Sequence, residues 1–226
     1  MTADSQNNLF GRTSNPKNRS LTAGGSTGGE GPLIALRGSV LGFATDIGGS
    51  IRIPALCNGI YGFKPSSCVI PFSGQRMPFA EGWEGIGIVA SAGPMATTAR
   101  ACAFAMEAIM KAVPANLDPS CLRIPWIDNV QDRLRDSKRL RIGVIADDGL
   151  FTPTPPVRRG LNESVDKLKK AGVTIVPLMI PLLTDVLPVI GGMLGVDGSQ
   201  ASNILLISMP NLSLDIQIDI RSTLWT

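Results

Sequence analysis

Two glycine-dominated runs constrain this chain more than any other feature. "GGSTGGEG" occupies residues 24–31 and "DIGGS" occupies residues 46–50. Neither sustains a helix or a strand, because glycine loses more backbone freedom on ordering than any other residue. Between them lies "LIALRGSVLGFATD", residues 33–46, which is apolar with small residues. That segment reads as a short buried helix followed by a buried strand, although periodicity alone does not separate the two. Two serines, Ser26 and Ser50, are thus embedded in glycine loops 24 residues apart.

Upstream, residues 1–23 are polar, with "TSNPKN" as a turn cluster, and read as an extended surface segment. Downstream, Pro65 in "ALCNGIYGFKPSS" marks a turn, and residues 71–93 are glycine-rich and irregular. "GPMATTARACAFAMEAIMKAV" predicts a helix capped by Thr97 or Thr98 and running to about Val113. Residues 114–138 are rich in proline and charge and read as a surface connection. "LRIGVIADD" (140–148) has the composition of a buried strand. "PVRRGLNESVDKLKKAG" predicts an amphipathic helix with Leu161, Val165 and Leu168 on one face and Gly172 at its C-cap. "VTIVPL" is a second strand, and strand–helix–strand order is the mark of an α/β layer architecture. Near the end, "LSLDIQIDI" (212–220) alternates as a half-buried strand does.

Composition removes several classes of function. With 44% hydrophobic and 17% charged residues the chain has material for a core, unlike a disordered segment. The net charge is +3, and basic residues are dense only at Arg133–Arg141 and Lys167–Lys170, so no nucleic-acid footprint is expected. Cys57, Cys68, Cys102 and Cys121 form no C-x-x-C pair, and without histidine a zinc site would need all four or carboxylate help. They read as reduced, mostly buried thiols, which points to a cytoplasmic setting. The N-terminus lacks the apolar run of a signal peptide, and residues 173–209 are broken by prolines, glycines and aspartates, so no transmembrane segment is expected.

A serine hydroxyl is a weak nucleophile until a base takes its proton, and the usual base, histidine, does not occur. "GGSTG" (24–28) fits G-x-S-x-G, but a Ser-His-Asp triad fails for want of a histidine. "SNPK" (14–17) fits S-x-x-K, yet S-D-N and K-T-G are absent. The first glycine run has no G-K-[ST] ending and no G-x-G-x-x-G. The N–H groups of Ile47, Gly48, Gly49 and Ser50 can converge on one point, which is how an oxyanion hole is built without side chains. A glycine-rich structural turn is the alternative. Asp46 and Arg52 flank Ser50 and are expected to pair with each other or bond to loop backbone, stiffening the site, with the Thr45 hydroxyl in the same network.

Residues 24–55, "GGSTGGEGPLIALRGSVLGFATDIGGSIRIPA", resemble the signature of the amidase signature family, with both glycine-serine blocks at the family's spacing. "NNLFGRTSNP", "GIYGFKPS" and "GPMATTAR" resemble further family segments, and "WIDN…LRIGVIADDG" resembles the fungal acetamidase and fatty-acid amide hydrolase-like branch. The resemblance covers about residues 5 to 195. It implies an α/β fold, a partial amidase-signature fold with a mixed twisted β-sheet core flanked by helices, over residues 1–200, followed by a divergent tail, 201–226. It implies hydrolysis of a small-molecule carboxamide through a Ser–cis-Ser–Lys triad. Ser50 would be the nucleophile and Ser26 the bridging serine, preceded by a cis peptide from Gly25. Ile47, Gly48, Gly49 and Ser50 would supply the oxyanion N–H groups, and Gly25, Thr27, Thr45, Asp46 and Arg52 would support them. No metal or organic cofactor is implied, and a homodimer is compatible with it. Lys64 and Cys57 are expected to be structural, and Glu30 to cap or pair locally.

In the family the lysine lies several dozen residues before the first block, whereas here only 25 residues precede Ser26, and Lys17 is the sole lysine among them. The expectation is therefore an amidase-type chain truncated at both ends, with catalysis impaired for want of its general base. The alternative is a non-catalytic remnant or interaction protein built on the same core.

Overall fold

The computed structural model describes residues 3–75, 89–128 and 140–179, with Asp185, Val186, Pro188 and Val189. The expected strand at 212–220, the rest of the tail 201–226 and most of the irregular stretch 71–93 lie outside the described residues. So does residue range 129–139 of the expected surface connection and of the first basic cluster. The chain divides into two compact units at Trp126 and Ile127.

The first unit opens with two small antiparallel hairpins rather than an extended surface segment. Strands β1 (Gln6–Asn7) and β2 (Gly11–Arg12) pair, as do β3 (Ser14–Asn15) and β4 (Asn18–Thr22). The polar side chains close the turns themselves: Asn7 Oδ1 accepts from the N–H groups of Leu9 and Phe10, and Asn18 Oδ1 from that of Ser20. After the first glycine run come α1 (Glu30–Ala35) and β5 (Leu41–Asp46), the helix and strand that the apolar segment predicts. Their burial is one-sided: Ile34 is buried while Leu33, Leu36 and Phe43 are exposed.

The second glycine run leads straight into α2 (Arg52–Asn58), which sequence reasoning did not separate from the following loop. Pro54 lies in its first turn, where a missing N–H has no intrahelical partner to lose. Strand β6 (Tyr61–Gly62) and β7 (Ser91–Ala96) follow, and the sheet order is β5–β7–β6 with both pairings antiparallel. "GPMA" is thus the end of a strand that leads to the cap of the next helix. Pro94 is tolerated in this central strand because it lacks only the donor; its carbonyl still accepts from Phe63 N–H at 2.9 Å. Helix α3 (Ala99–Lys111) begins as expected, with Thr98 as N-cap and its Oγ1 accepting from Ala101 N–H at 3.1 Å. One core cluster joins Ile34, Ala44, Ile51, Ala55 and Met95, so α1, β5, α2 and β7 share a single apolar interior. A second joins Val69, Ile70 and Met106 under α3.

The second unit is a βαβ element. Strands β8 (Arg141–Val144) and β9 (Thr174–Pro177) are parallel and are connected through α4 (Pro155–Lys170). Leu161, Val165 and Leu168 are the half-buried positions of α4, and Gly172 follows its end at φ +85°. β8 alternates between exposed and half-buried residues rather than being buried throughout. No described helix is long and apolar enough to cross a membrane.

Candidate active site

The first glycine-serine block hangs between β4 and α1. Thr22 Oγ1 accepts from Gly24 N–H at 2.9 Å and donates to Asp4 Oδ1 at 2.6 Å. Gly24 sits at φ +75°, and a Cβ there would stand 3.0 Å from the Pro54 backbone, so the block lies directly on the first turn of α2. The Gly25–Ser26 peptide is cis, as the resemblance implies. Gly25 is buried, because a Cβ there would collide with the Asp4 backbone, while Ser26 is exposed and Thr27 half-buried.

The second block is organised by Asp46, the last residue of β5, whose side chain is fully buried. Its Oδ1 accepts from Gly49 N–H at 2.6 Å and Arg52 Nη2 at 3.0 Å. Its Oδ2 accepts from Ile51 N–H at 3.1 Å, Arg52 N–H at 3.4 Å and Arg52 Nε at 3.0 Å. Burial pushes this carboxyl up, but the Arg52 guanidinium and then the Ile51 and Gly49 amides outweigh it and hold the group at about 2. Both forms of the expected support are present together: an ion pair and bonds to loop backbone. Thr45 lies in β5 opposite Ala92, and its hydroxyl is not among the groups that reach Asp46.

Gly49 has φ +137°, and a Cβ there would meet Ile53 Cδ1 at 2.6 Å, so the turn admits no side chain. Its N–H is engaged by Asp46 and is not free for an oxyanion. Among the described residues, the N–H groups of Ile47, Gly48 and Ser50 have no acceptor. Ser50 is half-buried and enters α2 beside the fully buried Ile51.

Helix α2 ties the two blocks together. Ser50 precedes its N-terminus. At its C-terminus, buried Asn58 donates through Nδ2 to the carbonyls of Ala23 at 2.8 Å and Pro54 at 2.7 Å. Asn15 Nδ2 donates to the Cys57 carbonyl at 2.7 Å. Sequence reasoning missed Asn15 and Asn58, and also Asp4 and Ser5, which touch the first block. The nearby lysines are placed elsewhere: Lys64 Nζ donates to the Pro65 carbonyl at 3.1 Å, and Lys17 Nζ lies against Gly59, at the other end of α2 from Ser50. The Cys57 thiol lies beside Gly24, and burial followed by the Asp4 charge pushes its pKa up, which opposes a nucleophilic role. Glu30 starts α1 and its carboxylate packs against Gly42 of β5.

A family model described as Amidase matches residues 1–222. The chain is 38% identical to an acetamidase of Aspergillus oryzae over 78% of its own length and 32% of the relative's. It is 36% identical to fatty acid amide hydrolase 1 of Caenorhabditis elegans over 86% of its length and 33% of the relative's. A solved fatty acid amide hydrolase superposes with a TM-score of 0.81 at 36% identity, covering 90% of this chain and 35% of that one. The chain thus spans about a third of the length of the curated relatives it matches.

Proposed function

The chain belongs to the amidase family, and on that premise we propose that it carries the acyl-transfer half of a carboxamide hydrolase, with Ser50 as nucleophile. Ser50 Oγ attacks the carbonyl carbon of a small-molecule amide, and its proton passes to Ser26. The N–H groups of Ile47, Gly48 and Ser50 face the developing oxyanion, while Gly49 shapes the turn and anchors it on Asp46. The amine leaves with a proton, an ester remains on Ser50, and water releases the carboxylic acid. Arg52, Thr27 and Gly25 support this arrangement without entering the chemistry.

The observation that carries the reading is the Asp46 network. It pins the chain on both sides of Ser50 through five hydrogen bonds while leaving three loop amides without acceptors. The relay from Ser50 through Ser26 needs a terminal base; Lys64 Nζ is bonded to the Pro65 carbonyl, and Lys17 Nζ lies against Gly59 at the far end of α2. The test is an active-site-directed fluorophosphonate followed by peptide mapping, with ammonia release from simple amides measured alongside. Label on Ser50, lost in Ser50→Ala, with weak or no ammonia release, is the expected result. Label elsewhere, or label that survives Ser50→Ala, overturns it. The lysine placement favours one second reading, a non-catalytic interaction protein, and complete silence of the probe would establish it over the first.

A further inference from the structure

Ser26 is exposed in a turn that its own residues do little to fix. What closes over that turn comes from 21 residues upstream. Ser5 Oγ accepts from Gly28 N–H at 2.9 Å, and its single proton is shared between the carbonyls of Ser26 at 3.1 Å and Gly24 at 3.3 Å. One hydroxyl therefore spans both ends of the block and its centre. Asp4 anchors the clamp: its carboxylate accepts from Ser5 N–H at 2.9 Å, from Thr22 Oγ1 at 2.6 Å and from Arg12 Nε at 2.8 Å. The fit leaves no slack, since a Cβ on Gly25 or Gly28 would collide with Asp4 or Ser5.

From this geometry we infer that Ser5 is a positioning residue for Ser26, holding the bridging serine's backbone while α2 packs against the same block at Gly24. The inference rests on the proposed role of Ser26, but the clamp itself is measurable without activity. Amide hydrogen exchange is followed at Gly28 in the wild-type chain, Ser5→Ala and Ser5→Thr. Fluorophosphonate labelling rates at Ser50 are taken for wild type, Ser5→Ala, Ser26→Ala and the double variant.

Ser5→Ala strips protection from Gly28 N–H while the α3 amides keep theirs, and Ser5→Thr, which retains the hydroxyl, restores it. Labelling slows about tenfold in Ser5→Ala, the loss expected for one hydrogen bond. The same substitution has no further effect once Ser26 is alanine, because the two act as a unit. An unchanged Gly28 amide, or equal slowing in both backgrounds, overturns the inference. Failure of the wild-type chain to label would remove Ser50 as nucleophile, and Gly28 exchange would still decide whether Ser5 holds the turn.

Discussion

Asp46 combines full burial with a full negative charge, an arrangement that persists only where partners replace the lost water. Arg52 and three loop amides do so here. Its folded pKa, about 2, lies below the unfolded value near 3.9, so its contribution to stability is complete above that higher value and disappears as pH falls through the lower one. The difference corresponds to about 2–3 kcal/mol, lost between about pH 4 and pH 2. Urea midpoints measured across that window should fall for the wild-type chain and change less for Asp46→Asn. At pH 7 the same substitution should lower stability by about 2–3 kcal/mol, because it leaves Arg52 and the loop amides facing a neutral group. The Asp46–Arg52 pair was legible in the sequence, since the two residues sit six positions apart on either side of a glycine turn. Ser5 and Asn58 were not: each acts by bonding to backbone 19 to 35 residues away, and a carbonyl leaves no mark in a sequence.

Among the elements, the hairpins β1–β2 and β3–β4 and also α2 and β7 were not legible locally, and the last two share a feature. Both contain a proline that argues against the structure it occupies, and both escape the penalty: Pro54 by lying in a first turn, Pro94 by contributing only its carbonyl. By contrast α3 was legible from its threonine cap, and α4 from its apolar stripe and terminal glycine. The contact between α2 and the first block makes Gly24 a sensitive position. Gly24→Ala adds a Cβ 3.0 Å from the Pro54 backbone at a left-handed φ, and neither side can yield as a flexible side chain would. The expected cost is about 1–3 kcal/mol, read as a lower thermal midpoint, with slower probe labelling of Ser50 because α2 moves with Pro54. Thr98→Ala, remote from the site, should cost about 1 kcal/mol through the α3 cap and leave labelling unchanged.

For the whole molecule, the α/β class and the βαβ order of the second unit followed from the sequence, whereas the extent of burial did not. Leu36, Val40, Leu56 and Phe104 are all more than 60% exposed, and α4 has no buried residue. Hydrogen exchange should accordingly be graded, with α4 amides exchanging well before those of β5 and β7, whose side chains Ala44 and Met95 meet in the core. Uniform protection across both units would contradict this. The central place of β7 also bears on how the protein is made. Both serines, Asp46 and α2 leave the ribosome while the strand against which β5 must pair, Ser91 to Ala96, is still being synthesised. At ordinary translation speeds that interval lasts on the order of seconds. During it the nascent chain carries every residue of the candidate site without the sheet that arranges them, so reactivity at Ser50 should be acquired late in synthesis and all at once.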